Sequence, residues 1–401
     1  MASDNKVLSL ASKAGHILLE NGAEISRVED TMERIATHYG EKSENFFVLS
    51  NGIFTTGSGY ANVEFIPIKG ARLDKVVEVN QLSRDIVSKD LSVEEAEARL
   101  EQISVSAPKP AWEQLLGAAF GSAGFCALFG GSMNDCLASM IAGVLLWIFI
   151  LTAGSRVTKM LSNILGGMIG TALCMILHAV GVGDNLGNMI VGTQILLIPG
   201  VAFTNGMRDL AGEDYLAGTT RLLDALMVFF CIALGVTLTF LAHSWIAGGM
   251  VLLHGTVTDP FTSTIPMQLL FSLIGTSAFA ILFGVPRKYY LSCGLVGLLG
   301  WLTALLVMRY GHLSAVYGCF FATILVAVLS KAAARIQKCP ATVFLICGIF
   351  PMIPGGGVFW STYFAVSNQM PLALSSGFMA VKATVAIVFG IILISNILDR
   401  K

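Results

Sequence analysis

The sequence predicts an α-helical polytopic membrane protein with ten transmembrane helices, arranged as two inverted five-helix repeats and preceded by a small cytoplasmic α+β domain. Three observations lead to this prediction. Hydrophobic residues make up 55% of the 401-residue chain and charged residues only 13%, whereas soluble proteins carry about a quarter. Residues 1–110 hold 29 of the 51 charged residues, so a polar head precedes an apolar body. Within that body, landmarks recur at a nearly constant offset.

Residues 1–110, the head, are predicted to form the α+β domain. Asn21-Gly22 ends a first helix, and Ser26-x-x-Glu29 resembles a capping box for a second. The charged cluster of the second helix is interpreted as a solvated helix face with i,i+3 and i,i+4 pairs: Glu24, Arg27, Glu29, Asp30, Glu33 and Arg34. The predicted order is ααββαα, with helices in 7–39, strands in NFFVLSNGIFTTGSG and ANVEFIPIK, and helices over 71–89 and 92–103.

Ten apolar stretches near the ~20-residue length of a membrane span follow the head. They lie near 112–131, 136–154, 159–181, 187–206, 220–243, 266–285, 288–308, 312–331, 341–364 and 372–397. The expected divisions are a first five-span repeat over 111–245, an external connector over 246–265 and a second repeat over 266–401. The segment 243–265 either runs over the membrane surface or dips into it.

Charges in the connectors predict the orientation. With the head inside, cytoplasmic connectors and the C-terminal end carry eleven Lys or Arg residues, and the external connectors carry only Arg309. This asymmetry follows the positive-inside rule. The chain starts with polar residues and has no signal-peptide pattern. The expected location is the cell membrane, with both termini in the cytoplasm and lipid around the body.

The apolar body contains an internal repeat. SAGFCALFGG at 122–131 matches TSAFAILFGV at 276–285, an offset of 154 that Trp147 and Trp301 share. Pro199-Gly200 and Pro354-Gly355 differ by 155. Because each half has five predicted spans, the second half must enter the membrane inverted. Inverted repeats with a site at their interface are typical of secondary transporters.

The two Pro-Gly pairs lie near the middle of the fourth and ninth predicted spans. A helix broken there would begin again near the midplane with unpaired N–H groups, which carry about half a positive charge and bind anions. The alternative is a pair of kinks that only shape helix packing. The predicted substrate-binding residues are Gln194, Pro199, Gly200, Thr204, Asn205, Pro354, Gly355, Gly356, Gly357 and Lys382.

Two charged positions within predicted spans are further candidates. Lys382 is the only Lys or Arg deep within a span, and we expect it to be a second anion contact or a gate. An ion-pair partner or a snorkelling residue is its alternative role. Asp224 either pairs with Arg221, three residues earlier on the same helix, or takes part in proton coupling.

Several classes of function are disfavoured. The eight cysteines form no C-x-x-C pair or zinc pattern, so neither metal nor cofactor is expected. A net charge of −1 argues against nucleic acid as a partner. No nucleotide-binding glycine loop or nucleophile elbow occurs, so the protein is not expected to be an enzyme. The rivals are a membrane-anchored enzyme with a hydrolase-like head, and a channel.

The segment LLENGAEISRVEDTMERIATHYG, the FCALFGG of the first span and the IPG of the fourth resemble the threonine/serine exporter (ThrE) family. Residues 1 to about 255 resemble its larger component and 265–401 its smaller one, here fused. The resemblance implies a ten-span exporter of small amino acids, threonine or serine first, driven by the proton gradient. Relatives that export succinate make a dicarboxylate the alternative substrate. Whether the chain forms a homo-oligomer stays open.

Overall fold

The computed structural model describes residues 2–41, 45–57, 60–67, 70–248, 253 and 258–398. The head contains four helices: α1 (Ala2–Glu20), α2 (Ile25–His38), α3 (Leu73–Lys89) and α4 (Val93–Ser104). Between α2 and α3 lies an antiparallel sheet, ordered β1 (Phe46–Leu49), β2 (Gly52–Gly57) and β3 (Tyr60–Phe65). The described residues thus form three strands where the sequence predicts two.

The additional strand arises from a turn within NFFVLSNGIFTTGSG. Leu49 pairs with Gly52, so the chain reverses over Ser50 and Asn51. The dipeptide Asn51-Gly52 lies at this turn, and Asn-Gly is a strong signal for a β-hairpin. The predicted capping box at Ser26 does not form, because the N-cap of α2 is Glu24, two residues earlier, and Glu24 makes no side-chain cap bond.

Twelve helices follow the head in the part of the chain that the structure describes. They are α5 (Ala111–Leu128), α6 (Met133–Thr152), α7 (Lys159–Ala179), α8 (Leu186–Gln194), α9 (Gly200–Ala211), α10 (Tyr215–Ala247), α11 (Ile265–Leu282), α12 (Tyr290–Arg309), α13 (Ala315–Gln337), α14 (Ala341–Ile349), α15 (Gly355–Val366) and α16 (Met370–Leu398).

Among the described residues, seven helices are long and apolar enough to cross a membrane: α6, α7, α10, α11, α12, α13 and α16. Two bent pairs also qualify, α8 with α9 at 65° and α14 with α15 at 40°, which gives up to nine spans. The first predicted span forms α5 but is not among them; Glu113 and Gln114 make its first turn polar. Most of 246–257 lies outside the described residues, so the structure does not address whether this connector dips into the membrane.

The two halves of the body contain matching elements and contacts. Helices α5 and α11 differ by 154 residues at both ends, and α9 and α15 by 155. The Trp147 indole donates to Gln114 Oε1 at 3.3 Å, and the Trp301 indole donates to Gln268 Oε1 at 2.9 Å. The offset noticed in the sequence therefore extends to individual hydrogen bonds.

Helices α5 and α11 pack against each other. An ideal Cβ on Gly124 would lie 3.0 Å from the Gly275 Cα, so a larger residue there would push the two backbones apart. Phe125 and Phe279 pack beside this contact, with 5.2 Å between their ring centroids. The head attaches at the end of α11, where the Leu73 amide donates to the Phe283 carbonyl at 3.0 Å.

Candidate functional site

Each bent pair is interrupted by a proline at the centre of a tight turn. Before α9, Pro199 has φ −78° and ψ 59°, and the Gly200 amide donates to the Ile198 carbonyl at 2.8 Å. Before α15, Pro354 has φ −77° and ψ 45°, and the Gly355 amide makes the equivalent bond at 2.7 Å. Both turns resemble inverse γ-turns. The two glycine amides are therefore already used, and the remaining first-turn donors belong to the residues that follow.

The two breaks pack directly against each other. A Cβ added to Gly200 would overlap the ring of Phe350, which lies in the other break. A Cβ added to Gly355 would overlap the side chain of Ile198. The Phe350 ring stacks in turn on Phe279, with 4.0 Å between centroids. Close packing is thus a sufficient reason for both glycines, which supports part of the alternative interpretation as packing kinks.

A cavity of about 610 Å³ lies between the head and the body, and we call it the vestibule. The first turn of α9 forms part of its wall, from Pro199 to Ala202. On the head side it is lined by Gly22, Asn51 and Ala71, among others. The volume is in the range typical of small-molecule sites. The first turn of a helix therefore lies on the wall of a cavity large enough for a metabolite.

Charged side chains on the vestibule wall are arranged in ion pairs. Asp224 pairs with Lys159 on α7 at 2.5 Å, and both side chains are about half exposed. Arg221 instead pairs with Asp209 on α9 at 2.6 Å, where both side chains are buried. The predicted pair of Asp224 with Arg221 is therefore wrong, because the two side chains reach partners on different helices.

A buried carboxylate fixes the head to both halves of the body. Glu24 is 1% exposed; its Oε1 lies 3.2 Å from Arg208 Nη1 on α9 and 3.0 Å from Arg27 Nε. Thr342, on α14, donates to Glu24 Oε2 at 2.8 Å. Burial alone would raise the pKa of Glu24, but Arg208 and Arg27 lower it to about 2. Glu24 is therefore not on a solvated helix face.

The loop before Glu24 makes two further contacts with the body. Asn205 Nδ2 donates to the Gly22 carbonyl at 2.6 Å, and Arg221 donates to the Ala23 carbonyl at 2.9 Å. Both side chains also line the vestibule. The loop Asn21–Glu24 therefore helps to enclose the vestibule.

A second, much smaller cavity of about 30 Å³ also lies beside the breaks. Gln194 and Gly355 line it together with apolar residues. Gln194 Nε2 donates to the Gly167 carbonyl at 2.9 Å, whereas its buried Oε1 has no hydrogen-bond partner among the described residues. One water needs about 10–15 Å³ on this measure, so the cavity has room for water but not for an amino acid.

Lys382 lies apart from both cavities. Its ammonium group sits 4.7 Å from the centroid of the Phe378 ring, in a groove between α13 and α16. The structure places the Lys382 side chain outside both cavities at the Pro-Gly breaks, and its role as a second anion contact or a gate stays a prediction. Gly357 faces α16 as well, because a Cβ there would approach Ala380 at 3.2 Å.

Two family models match most of the chain. Residues 9–242 match ThrE, described as "Putative threonine/serine exporter". The chain belongs to the threonine/serine exporter family. Residues 268–397 match ThrE_2, "Threonine/Serine exporter, ThrE". The predicted fusion of two family components in one exporter chain is confirmed.

Two curated relatives of this exporter chain align along almost its whole length. It is 23% identical to the "Probable threonine/serine exporter" of Mycobacterium tuberculosis, covering 97% of this chain and 75% of the relative. It is 21% identical to the "Threonine/serine exporter" of Corynebacterium glutamicum, covering 96% and 81%. No solved structure gives a significant match. Family membership and the apolar helices together identify a multi-pass membrane exporter.

The exporter's predicted site residues divide into groups. Pro199, Gly200, Asn205, Arg221 and Asp224 line the vestibule, and Gln194 and Gly355 line the small cavity. Thr204 is buried, and Pro354 and Gly356 lie at the second break. What sequence reasoning missed is the set of partners: Glu24, Lys159, Arg208, Asp209 and Thr342. The sequence did contain one signal for these partners. The Gly22-Ala23-Glu24 segment is part of the family resemblance although it lies in a loop between two helices.

Proposed function

We propose that this protein is a secondary active exporter of threonine or serine, driven by the proton gradient, and that substrate enters through the vestibule. The observation that carries the proposal is the first turn of α9 on the wall of a 610 Å³ cavity. The amides of Val201 and Ala202 have no acceptor within the helix. They offer a site for the substrate carboxylate where the helix dipole favours an anion.

The charges of the vestibule favour a zwitterion over a dianion. Lys159 and Arg221 are each neutralised by an aspartate, Asp224 and Asp209. A substrate with one carboxylate and one ammonium group leaves this balance unchanged, whereas a dicarboxylate adds uncompensated negative charge. Lys382, which supported succinate as the alternative, lies in a different groove. Threonine and serine are therefore favoured, and succinate is kept as a competitor in the test.

Transport would alternate between the two halves of the body. We propose ten spans in two inverted repeats over 111–245 and 266–401, joined by an external connector over 246–265 and preceded by the cytoplasmic head over 1–110. The two Pro-Gly breaks would lie at the interface about which the repeats rock. Asp224 is the candidate for proton coupling, because its carboxylate lies in the vestibule and its partner Lys159 is half exposed.

The test is export of radiolabelled threonine from proteoliposomes with an imposed proton gradient. Unlabelled serine should compete with labelled threonine. Threoninamide, which lacks the carboxylate, and N-acetylthreonine, which lacks the ammonium group, should not compete. Competition by succinate at similar concentrations would indicate that the substrate is a dicarboxylate and not an amino acid. Export that continues downhill but never against a gradient would identify a channel.

Two variants test the site itself. Asp224→Asn should abolish uphill export while leaving exchange of labelled for unlabelled threonine intact, as expected if Asp224 carries the proton. Val201→Pro removes one first-turn amide at a helix position where proline is tolerated, and Val201→Ala keeps it. A higher KM for the proline variant alone supports the carboxylate site. Equal KM values in both variants would remove this site from the proposal.

A further inference from the structure

One buried hydrogen-bond acceptor lies beside the first Pro-Gly break without a partner. Gln194 is the last residue of α8, and its side chain is only 4% exposed. Its Oε1 atom is buried and accepts no hydrogen bond from the described residues. Because buried side-chain oxygens in folded proteins nearly always have a partner, an unpaired one points to a ligand or to a functional role.

The neighbouring helix α7 fixes which end of the Gln194 amide is the free acceptor. Nε2 donates to the Gly167 carbonyl at 2.9 Å and to Thr171 Oγ1 at 3.1 Å. A carbonyl oxygen can only accept a hydrogen bond, so the amide nitrogen must face Gly167. Gly170 allows this close approach, since a Cβ there would lie 2.9 Å from Nε2. The side chain is therefore held by α7, and its oxygen is the atom left to bind a ligand.

The small cavity beside Gln194 is otherwise apolar. Of the described residues that line it, Gln194 alone has a polar side chain, and the others are valine, isoleucine, phenylalanine, alanine and glycine. Its volume of about 30 Å³ corresponds to about two water molecules at 10–15 Å³ each. That is room for two heavy atoms, such as the hydroxyl and the methyl group of a threonine side chain.

One side chain separates the small cavity from the vestibule. Among the described residues, Ile198 is the one that lines both cavities. It packs against the second break, because a Cβ on Gly355 would overlap Ile198 Cδ1. Movement of the two breaks relative to each other would therefore displace Ile198 and connect Gln194 with the vestibule. The proposed transport cycle requires such a movement between the two halves of the body.

The chemistry of the small cavity suits a hydroxyl group better than a charged group. A hydroxyl has one proton to donate, and Gln194 offers one free acceptor. An ammonium group has three protons to donate and would be buried in an apolar cavity without a counter-charge. An ionised carboxylate has no proton to donate and would place its oxygens against Oε1. Threonine and serine both carry a hydroxyl group, and the methyl group of threonine matches the apolar lining.

We propose that Gln194 determines the specificity of the exporter for hydroxyl amino acids, with Oε1 accepting a hydrogen bond from the substrate hydroxyl in the small cavity. This inference rests on the proposed export of threonine or serine and assigns a residue to the side chain of the substrate. The amides of Val201 and Ala202 would bind its carboxylate in the vestibule. Substrate would meet the two sites in succession, so its carboxylate and its hydroxyl need not be bound at the same moment.

Competition in proteoliposomes tests the inference without altering the protein. The probes are valine, in which a methyl group replaces the threonine hydroxyl, and O-methylthreonine, in which the side-chain oxygen has no proton. Both keep the carboxylate and the ammonium group. Each should inhibit export of labelled threonine about tenfold less well than unlabelled threonine does, because an analogue without the O–H leaves the acceptor unpaired. Inhibition by valine equal to that by threonine would overturn the inference.

A pair of variants tests whether Gln194 is the residue responsible. Gln194→Met removes the acceptor at nearly constant side-chain length and should bring inhibition by valine and by threonine to within about twofold of each other. Thr171→Val is the matched control, because it also removes a hydrogen bond of the Gln194 amide but leaves Oε1 in place. It should keep the wild-type preference for threonine.

The outcomes separate this inference from the proposed function. A wild-type preference for threonine in Gln194→Met would overturn the inference and would indicate that the small cavity holds water only. If Gln194→Met fails to insert into liposomes, the analogue series with the wild type and with Thr171→Val still decides whether the hydroxyl is recognised. Absence of threonine export by the wild type would refute the proposed function, and the inference with it.

Discussion

Glu24 shows how a charge is stabilised at the junction of the head and the body. Its carboxylate forms ion pairs with Arg27 in the head and Arg208 on α9, and it accepts a hydrogen bond from Thr342 on α14. Removing one partner of a buried ion pair typically costs about 3–5 kcal/mol, because the remaining charge is left unpaired. One side chain therefore connects three parts of the molecule.

Glu24→Gln should lower the thermal stability of the detergent-solubilised protein. The amide keeps the shape of the side chain but leaves the buried part of Arg208 without its counter-charge, at a cost of about 3 kcal/mol. Glu94→Gln is the control, because its ion pair with Lys6 is exposed and worth under about 1 kcal/mol. Equal melting temperatures of the two variants would contradict the buried pair.

The pH dependence of this contribution follows from the lowered pKa. Because the pKa of Glu24 is about 2 in the folded protein against an ordinary value of 4.5, its stabilising effect is complete above pH 4.5. It is lost only as the pH falls toward 2. The difference in melting temperature between wild type and Glu24→Gln should therefore stay constant from pH 8 to pH 5.

Gly200→Ala tests the packing of the two breaks. The added methyl would overlap the Phe350 ring, which is held among other aromatic rings, so we expect a loss of about 1–3 kcal/mol of stability from overpacking. Gly356→Ala is the matched control, since its Cβ would meet only Val191 at 3.8 Å. Melting curves that rank Gly356→Ala below Gly200→Ala would contradict the contact between Gly200 and Phe350.

At the scale of elements, one aspartate fixes the start of a bent helix pair. Asp135, near the start of α6, accepts hydrogen bonds from the amides of Asp184 and Asn185 at 2.7 and 2.8 Å, just before α8 begins. It also caps its own helix by accepting from the Ser132 amide at 2.9 Å. A single carboxylate thus sets the position of α8 relative to α6, and hence the approach to the first Pro-Gly break.

Asp135→Ala should destabilise the protein more than the loss of a surface helix cap does. It leaves three amides without an acceptor, at about 1–3 kcal/mol for each one that stays buried. Ser92→Ala, which removes the exposed cap of α4, should cost about 1 kcal/mol. Thermal melting of the two variants in the same detergent checks the order, and a larger loss for Ser92→Ala would be inconsistent with this role.

The sequence predicts elements well where a property is averaged over many residues. Nine of the ten predicted spans correspond to described helices or bent pairs that satisfy the length and hydropathy of a span. The two Pro-Gly pairs also lie at breaks. Partners were not predictable, because Arg221 and Asp224 are close in sequence yet face α9 and α7. Which groove the Lys382 side chain enters depends on how α16 packs against α13, and hydropathy does not encode that packing.

At the scale of the whole molecule, the head and the body share one interface. The head contributes Gly22 and Asn51 to the vestibule, and its Leu73 and Asp74 amides bond the end of α11. A head that only tethered a partner would not line a cavity with the transport helices. Under the proposed function, the head therefore forms part of the route by which substrate enters.

Deleting residues 1–105 should abolish threonine export and lower the melting temperature. The deletion opens the vestibule and removes the counter-charge of Arg208 and a carbonyl acceptor of Arg221. Export by proteoliposomes and the amount of protein in the membrane are measured together, so that loss of folding is distinguished from loss of transport. Wild-type export by the truncated chain would show that the head is not needed for entry.

The duplicated tryptophan contact gives the molecule an internal optical reporter. Trp147 lines the vestibule, while Trp301 makes the same kind of hydrogen bond to Gln268 but does not line that cavity. Occupancy of the vestibule should therefore change the fluorescence of one indole and leave its counterpart as a reference. Comparing Trp147→Phe with Trp301→Phe during a serine titration would follow substrate entry without any label.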